Sequence, residues 1–120
     1  MKNVTFYHNN RCSKSRQALE LIEAADVSIR VVEYMKDPVT LSMLESILLA
    51  LDYVPDQLLR KGEPDYKNHV KGKKLSNEEL MALMCVYPKL IERPIAVCEG
   101  KGIVARPPEL IHVFLESLKS

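Results

Sequence analysis

The chain lacks paired cysteines, a long apolar run and an excess of one charge. Its three cysteines, Cys12, Cys85 and Cys98, lie far apart, which argues against a secreted disulfide framework and against a Cys-x-x-Cys metal or dithiol site. No apolar stretch approaches the ~20 residues of a membrane span, and the first residues lack the apolar centre of a signal peptide. These absences predict a cytoplasmic protein without a membrane partner, in which each cysteine has to be considered alone.

Charge is nearly balanced, because 17 lysines and arginines stand against 16 aspartates and glutamates. The composition therefore predicts no general attraction to nucleic acid, and any basic site has to be local. The sequence also has no internal repeat and no Gly/Ser-rich linker. Since 120 residues suffice for one compact core, we expect residues 1–120 to form a single domain.

A strand, a loop and a helix are predicted at the start of the chain. Residues 4–7 favour a β-strand, residues 8–11 resemble a loop, and a helical pattern begins near Cys12 or Ser13. Residues 29–34 form a second predicted strand. A strand, a helix and a strand in this order imply a right-handed parallel crossover.

The middle of the chain is predicted to be helical. Thr40 is a candidate N-cap for the second helix, and residues 55–60 favour a short helical turn. Residues 61–74 are polar and predicted to be an exposed connection. Ser76 and Glu79 have the spacing of a capping box, which predicts a helix from this point.

The last third of the chain predicts a hairpin and a final helix. Residues 94–98 and 103–105 favour two strands joined by a Gly-bearing turn, and Pro107 and Pro108 can start the helix that follows. A parallel pair followed by a hairpin predicts an α/β fold. The simplest assembly is a thioredoxin-like four-stranded mixed sheet flanked by helices, with a helical insertion.

Cys12 stands at the predicted beginning of the first helix. Unpaired backbone N–H groups at a helix N-terminus favour a thiolate over a thiol. Arg11, Lys14 and Arg16 add positive charge nearby, and His8 can do the same. The alternative is a buried, inert thiol. Cys12 in a polar loop favours the reactive form, so we predict that it is a nucleophile.

The segment Cys12-Ser13-Lys14-Ser15 has the spacing of a thioredoxin motif, with serine in place of the second cysteine. No local disulfide can therefore form. A single-thiol centre has to be resolved by an external thiol, by glutathione or by a distant cysteine. Ser15 has two open roles: a hydrogen bond to the thiolate, or ordinary first-turn helix chemistry.

The remaining cysteines and histidines predict no further chemistry. Cys85 and Cys98 lie in apolar segments and are better explained as small core residues than as redox partners. His69 lies in the predicted polar connection and His112 on the last helix, and neither has a second ligand at metal spacing. We therefore predict no metal site.

Arg60, Arg93 and Arg106 are candidates for anion binding. The last two precede prolines at the ends of the predicted hairpin, where a thioredoxin-like fold brings residues towards its helix N-terminus. Guanidinium forks bind tetrahedral anions or carboxylates through paired hydrogen bonds, so the three side chains could hold an oxyanion together. Taken singly, each arginine is more often a solvated surface residue.

Four motifs along the chain resemble those of the arsenate reductases that are coupled to glutathione and glutaredoxin. They are His8-Asn9-x-x-Cys12-x-x-Ser15-Arg16, Leu58-Leu59-Arg60-Lys61, Arg93-Pro94-Ile95 and Arg106-Pro107. The resemblance implies that Cys12 attacks arsenate and that Arg60, Arg93 and Arg106 hold the oxyanion. It also implies that His8 and Ser15 assist the thiolate, and that the peptide bond before Pro94 is cis.

The same resemblance implies the partners of the reaction. Arsenate or another small oxyanion would be the substrate, glutathione the co-substrate and glutaredoxin the final electron donor. No bound metal, flavin or nicotinamide would be required.

The loop around Cys12 departs from the family pattern His-Asn-Pro-x-Cys-Gly-x-Ser. Asn10 replaces the proline and Ser13 the glycine, while Lys14 adds a charge that could attract glutathione or a different anion. Two alternatives therefore stay open. One is a glutathione-dependent thiol reductase that acts on another substrate. The other is a non-enzymatic redox-sensing adaptor, because related proteins with a helical insert bind RNA polymerase.

Overall fold

The computed structural model describes residues 2–118 as a mixed β-sheet between two layers of helices. The strands are β1 Asn3–His8, β2 Ser28–Glu33, β3 Ile95–Cys98 and β4 Lys101–Val104. The helices are α1 Ser13–Glu23, α2 Leu41–Leu51, α3 Pro64–His69, α4 Asn77–Val86 and α5 Leu110–Ser117, with 3-10 turns at Pro55–Leu58 and Pro88–Leu90. Between residues 2 and 118, none of these helices is long and apolar enough to cross a membrane.

The sheet has the strand order β2-β1-β3-β4. β1 pairs with β2 in parallel and with β3 antiparallel, and β3 and β4 form an antiparallel hairpin. The predicted crossover, hairpin and four-stranded mixed sheet are therefore confirmed. In the parallel pair His8 lies opposite Glu33, so the segments after both strands emerge at the same edge of the sheet.

Alternating side chains of the strands divide the core between the two faces of the sheet. Val4 and Phe6 of β1 are fully buried against the layer that contains α1 and α5. Tyr7 packs on the other face, against the layer that contains α2 and α4. Since residues two apart on a strand share a face, His8 follows Val4 and Phe6 towards α1. The pleat of β1 thus directs His8 to the beginning of that helix.

The predicted helix caps are confirmed. The Thr40 hydroxyl oxygen accepts a hydrogen bond from the Met43 N–H at 3.1 Å and opens α2. At the start of α4, the Ser76 oxygen accepts from the Glu79 N–H at 3.1 Å, and the Glu79 carboxylate accepts from the Ser76 N–H at 3.0 Å. These bonds satisfy N–H groups that the helices themselves leave unpaired.

Several elements differ from the sequence prediction, among them the two hairpin strands, since β4 begins at Lys101 rather than at residue 103. The connection predicted over residues 61–74 contains α3, because Pro64 suits the first helical position and buried Val70 anchors the end of the helix. His69 accordingly ends a helix rather than lying in a loop. The final helix begins at Leu110, after a turn that contains the two prolines. β2 ends at Glu33, so Tyr34 lies in the following turn.

Candidate active site

Cys12 is the N-cap residue of α1. Its backbone is extended, its N–H donates to the Asn9 carbonyl at 3.0 Å, and its carbonyl accepts from the Arg16 N–H at 3.1 Å. The side chain forms no capping hydrogen bond, and the residue is partly exposed. No acidic residue lies in the first turn of α1. The thiol therefore stands free at the positive end of a helix, as predicted from the sequence.

Ser15 is completely buried one turn into α1 and connects this helix to the loop before it. Its oxygen lies 2.7 Å from His8 Nδ1 and accepts a hydrogen bond from the Asn9 N–H at 3.1 Å. Of the two roles open for Ser15, the structure displays the local one, in which the hydroxyl holds β1, the loop and α1 together. Within residues 2–118, no hydrogen bond joins Ser15 or His8 to Cys12.

Burial lowers the pKa of His8, and the nearby Arg16 guanidinium acts in the same direction, against the opposing charges of Glu33 and Glu23. The imidazole is therefore neutral at pH 7. With Nδ1 facing the Ser15 hydroxyl, the neutral ring serves as one half of a buried hydrogen bond.

Ser15→Ala is expected to lower the free energy of unfolding by about 1–3 kcal/mol, because it leaves the ring nitrogen of His8 and the N–H of Asn9 without a partner in a buried place. Ser13→Ala, at an exposed position in the same turn, is the matched control and should change stability by less than about 0.5 kcal/mol. Urea denaturation of both variants measures the difference. Equal stability of the two variants would contradict a structural role for the Ser15 hydroxyl.

Arg60, Arg93 and Arg106 form the arginine group, in which the side chains of Arg60 and Arg106 and the backbone N–H of Arg93 meet at one carboxylate. Glu92 Oε1 lies 3.4 Å from Arg60 Nε and 3.7 Å from Arg106 Nη1, and it accepts the Arg93 N–H at 3.2 Å. Arg106 Nη1 also reaches the Arg93 carbonyl oxygen at 3.4 Å. Arg60 forms a second ion pair with Glu63 at 2.9 Å. The fold thus brings together three residues that lie up to 46 positions apart in the sequence, from Arg60 to Arg106.

Two buried side-chain groups of residues 2–118 have no hydrogen-bond partner, and both belong to this region. They are the Arg93 Nε and the Tyr34 hydroxyl. Burial raises the pKa of Tyr34, and the charges of Arg60 and Cys12 lie near enough to act on its phenol. Because buried donors are normally paired, two orphaned donors in one place indicate room for an acceptor that the protein itself does not supply.

A cleft of about 470 Å³ lies between the loop before Cys12 and Arg93 of the arginine group. His8, Asn9 and Arg11 line it on the side of the loop, and Arg93 and Glu63 on the other. The peptide bonds before Pro94 and before Pro107 are both cis; the first of these is the one that the sequence resemblance implies. The cleft is wide enough for a small oxyanion together with part of a second reactant.

The sequence analysis missed Glu92, Glu63 and Tyr34. Glu92 directly precedes the Arg93-Pro94 motif, and this position was the one feature of the sequence that could have indicated it as a residue of the site. Its contacts with Arg60 and Arg106 depend on the tertiary fold. Tyr34 was assigned to the second strand, where a tyrosine is an ordinary residue.

The other cysteines and histidines lie away from this cleft. Cys98 is buried beneath α1 and α5, Cys85 packs against the opposite core, and burial raises the pKa of both thiols. His69 stacks on Tyr87 with a ring-centre distance of 4.2 Å. Among residues 2–118, no three histidine, cysteine or acidic side chains are grouped so that they could hold a metal ion.

The model of the ArsC family matches residues 7–114, which include Cys12 and the whole arginine group. The chain belongs to the ArsC family. An ArsC relative, the arsenate reductase of Neisseria meningitidis serogroup A, is 36% identical over 117 residues, which cover 96% of this chain and all of that protein. Uncharacterized protein YfgD of Escherichia coli K12 is 40% identical and covers 92% of this chain and 94% of its own.

A solved ArsC structure confirms the fold. The arsenate reductase from Vibrio cholerae superposes with a TM-score of 0.84 at 37% sequence identity, covering 93% of this chain and 97% of that chain. The thioredoxin-like arrangement predicted from the sequence is therefore the architecture of the ArsC family. Family membership places this chain among oxidoreductases.

Proposed function

We propose that this ArsC protein reduces arsenate to arsenite, with Cys12 as the nucleophile and the arginine group as the oxyanion site. The observation that carries the proposal is a cleft lined by both the Cys12 loop and Arg93, with Arg60 and Arg106 paired to the adjacent Glu92. A thiolate and an anionic substrate repel each other in water. Guanidinium groups at the site remove that repulsion and leave the thiol free to attack.

The first step joins the Cys12 sulfur to arsenic. The thiolate attacks arsenate, one arsenate oxygen leaves as water after taking up protons, and an As–S bond holds the substrate on the protein. Arsenic stays in its oxidised form in this step. The orphaned Arg93 Nε and Tyr34 hydroxyl are suitable donors to the arsenate oxygens, because neither is engaged elsewhere in the described part of the chain.

The second stage needs two electrons from thiols outside the protein. Glutathione attacks the arsenic adduct and displaces a second oxygen as water. A glutaredoxin thiolate then attacks the glutathione sulfur and forms a disulfide with it, while the electron pair of the arsenic–glutathione bond stays on arsenic and reduces it. Water hydrolyses the remaining arsenic–Cys12 bond, which releases arsenite and restores the Cys12 thiol. Within residues 2–118 all three cysteines are free and occupy separate places, which supports an external resolving thiol. A reducing cytoplasm would supply it.

His8 and Ser15 are proposed to act on the thiolate through the shape of the loop. Their buried hydrogen bond fixes the segment that ends at Cys12, so the sulfur stays at the helix end and beside the cleft. A displaced loop would lower the rate of the reaction because the Cys12 sulfur would be misplaced, not because positive charge would be lost.

A component-omission assay tests the proposed function. Purified protein with arsenate, glutathione and glutaredoxin should form arsenite, and omission of glutathione or of glutaredoxin should reduce the rate to the background without enzyme. Absence of arsenite in the complete mixture would remove arsenate from the proposal. Formation of arsenite with glutathione alone would instead overturn the glutaredoxin step.

The altered loop supports a second candidate, a glutathione-dependent reductase of another thiol substrate. Lys14 is exposed on α1 beside Cys12, where it offers a positive charge to a glutathione carboxylate. In this case oxidised glutathione should leave a glutathione adduct on Cys12 in the absence of arsenate, detectable by peptide mass spectrometry. An unmodified Cys12 would exclude this candidate. A pull-down that captures RNA polymerase in stoichiometric amount would instead favour the non-enzymatic redox-sensing adaptor.

A further inference from the structure

Glu92 lies where the arginine group would otherwise meet a bound anion. Its Oε1 atom pairs with Arg60 Nε at 3.4 Å and Arg106 Nη1 at 3.7 Å, and it accepts a hydrogen bond from the backbone N–H of Arg93 at 3.2 Å. A tetrahedral oxyanion uses the same kind of atom, a negatively charged oxygen, for the same guanidinium groups. The carboxylate therefore already occupies donors that the proposed substrate needs.

Glu92 also changes the charge of the site. The guanidinium groups of Arg60 and Arg106 face the Glu92 carboxylate, and Arg60 also pairs with Glu63 at 2.9 Å. The Glu92 side chain is 29% exposed, so it is only partly solvated and its ion pairs with the arginines are only partly screened. Removal of this one carboxylate would strengthen the attraction of the site for any anion, whether arsenate, phosphate or sulfate.

We propose that Glu92 is an internal competitor for the oxyanion site, which the incoming anion displaces from the arginine group. This inference rests on the proposed function, because it needs the arginine group to bind the substrate anion. Displacement makes Glu92 a specificity-determining residue. An anion is retained only if its contacts with the arginines exceed those that Glu92 already makes, which disfavours weakly bound and singly coordinated anions.

Competition by a carboxylate gives anion binding a dependence on pH. Burial raises the pKa of Glu92, with Glu63 acting in the same direction, while Arg106 and Arg60 oppose the rise. The phenol of Tyr34 is the other titratable group that faces this carboxylate. The protonated, neutral Glu92 competes less well for guanidinium groups. Anion affinity should therefore increase as the pH falls towards the raised pKa, with uptake of a proton by Glu92.

Sulfate is the probe that isolates this effect. It is tetrahedral, it cannot be reduced under these conditions, and it stays a dianion between about pH 5 and pH 7.5, so its own charge does not change during the titration. Isothermal titration calorimetry should be performed with wild-type protein, Glu92→Gln and Glu45→Gln. Glu45 is an exposed residue of α2 outside the cleft, so its variant has the same change in net charge and serves as the matched control.

At pH 7 we expect Glu92→Gln to bind sulfate about tenfold more tightly than the wild type, and Glu45→Gln to bind within about twofold of it. The affinity of the wild type should increase from pH 7 to pH 5, and Glu92→Gln should lose most of this increase. What remains reports other titratable groups of the cleft such as His8, whose pKa is lowered by burial. Glu92→Asp retracts the carboxylate by one methylene, so its sulfate affinity should lie between those of the wild type and Glu92→Gln. This variant keeps the test decisive if Glu92→Gln folds poorly.

Three outcomes would overturn the inference. Equal affinity and equal pH dependence in wild type and Glu92→Gln would show that the carboxylate does not compete. Weaker binding by Glu92→Gln would show that Glu92 positions the arginines instead. In both cases the proposed oxyanion site would still stand if the wild type binds sulfate and Arg93→Ala does not. Absence of sulfate binding by every variant would overturn the oxyanion site itself.

Discussion

Cys12→Ser is expected to lower the rate of arsenite formation at least about 1000-fold in the presence of glutathione and glutaredoxin. A serine hydroxyl at the beginning of α1 is not ionised near pH 7, so the helix end and nearby cations have no thiolate to stabilise. The measurement is the initial rate of arsenite release under saturating arsenate. Binding of sulfate by this variant should persist, because the arginine group is unchanged.

Cys85→Ser is the matched control for this loss. Cys85 lies on α4 and packs against the core on the other side of the sheet, and burial raises the pKa of its thiol. Its replacement should leave the rate within about twofold of the wild type. Retention of activity by Cys12→Ser, or loss of activity in Cys85→Ser with an unchanged fold, would identify a different nucleophile.

Arg93→Ala is expected to lower kcat/KM for arsenate about 100-fold or more. The Arg93 side chain lines the cleft, and its buried Nε has no partner in the described structure, so this guanidinium has unused donors for a bound oxygen. Arg93→Lys keeps the charge and loses the planar fork, so it should recover only part of the activity. Steady-state kinetics over a range of arsenate concentrations measures both variants.

Arg30→Ala provides the control for a lost positive charge. Arg30 is exposed on β2 and does not line the cleft, so kcat/KM should remain within about twofold of the wild type. An equal loss in Arg30→Ala and Arg93→Ala would indicate long-range steering by net charge. Full activity of a folded Arg93→Ala would remove this residue from the oxyanion site.

Local features of the sequence were sufficient to predict most of the fold. Thr40, Ser76 and Glu79 are cap residues, and each of their hydrogen bonds joins residues three positions apart in the sequence. A short sequence pattern is therefore enough to predict these bonds. The β-favouring residues 4–7 likewise predicted the strand β1. α3 is not predicted because its six residues are mainly polar and none of them is fully buried. Its contacts with the core come from the partly buried Tyr66 and from Val70, which follows the helix.

The site was less accessible from the sequence because it is assembled by tertiary contacts. The position of Cys12 was predictable, because a residue at the junction between a strand and the following helix lies at the helix N-terminus. The resemblance to known motifs identified Arg60, Arg93 and Arg106. The sequence alone did not indicate that Glu92 lies among them, because the ion pair to Arg60 joins residues that are 32 positions apart, from 60 to 92, and depends on the fold.

Glu92 and the arginine group suggest how a small oxyanion site avoids permanent occupation by common anions. Buried guanidinium groups without a counter-ion are costly, and a carboxylate within the site offsets this cost in the free protein. The same carboxylate must be displaced before chemistry begins. Catalysis then depends on an anion that binds several donors at once, including the unpaired groups of Arg93 and Tyr34.

The most direct measurement is mass spectrometry of the intact protein after it is mixed with arsenate and glutathione, without glutaredoxin. Because the last electron donor is missing, arsenic should accumulate on the protein, and peptide mapping should place it on Cys12. Cys12→Ser should carry none. Arsenic absent from Cys12, in a preparation that releases arsenite once glutaredoxin is added, would contradict nucleophilic attack by this thiol.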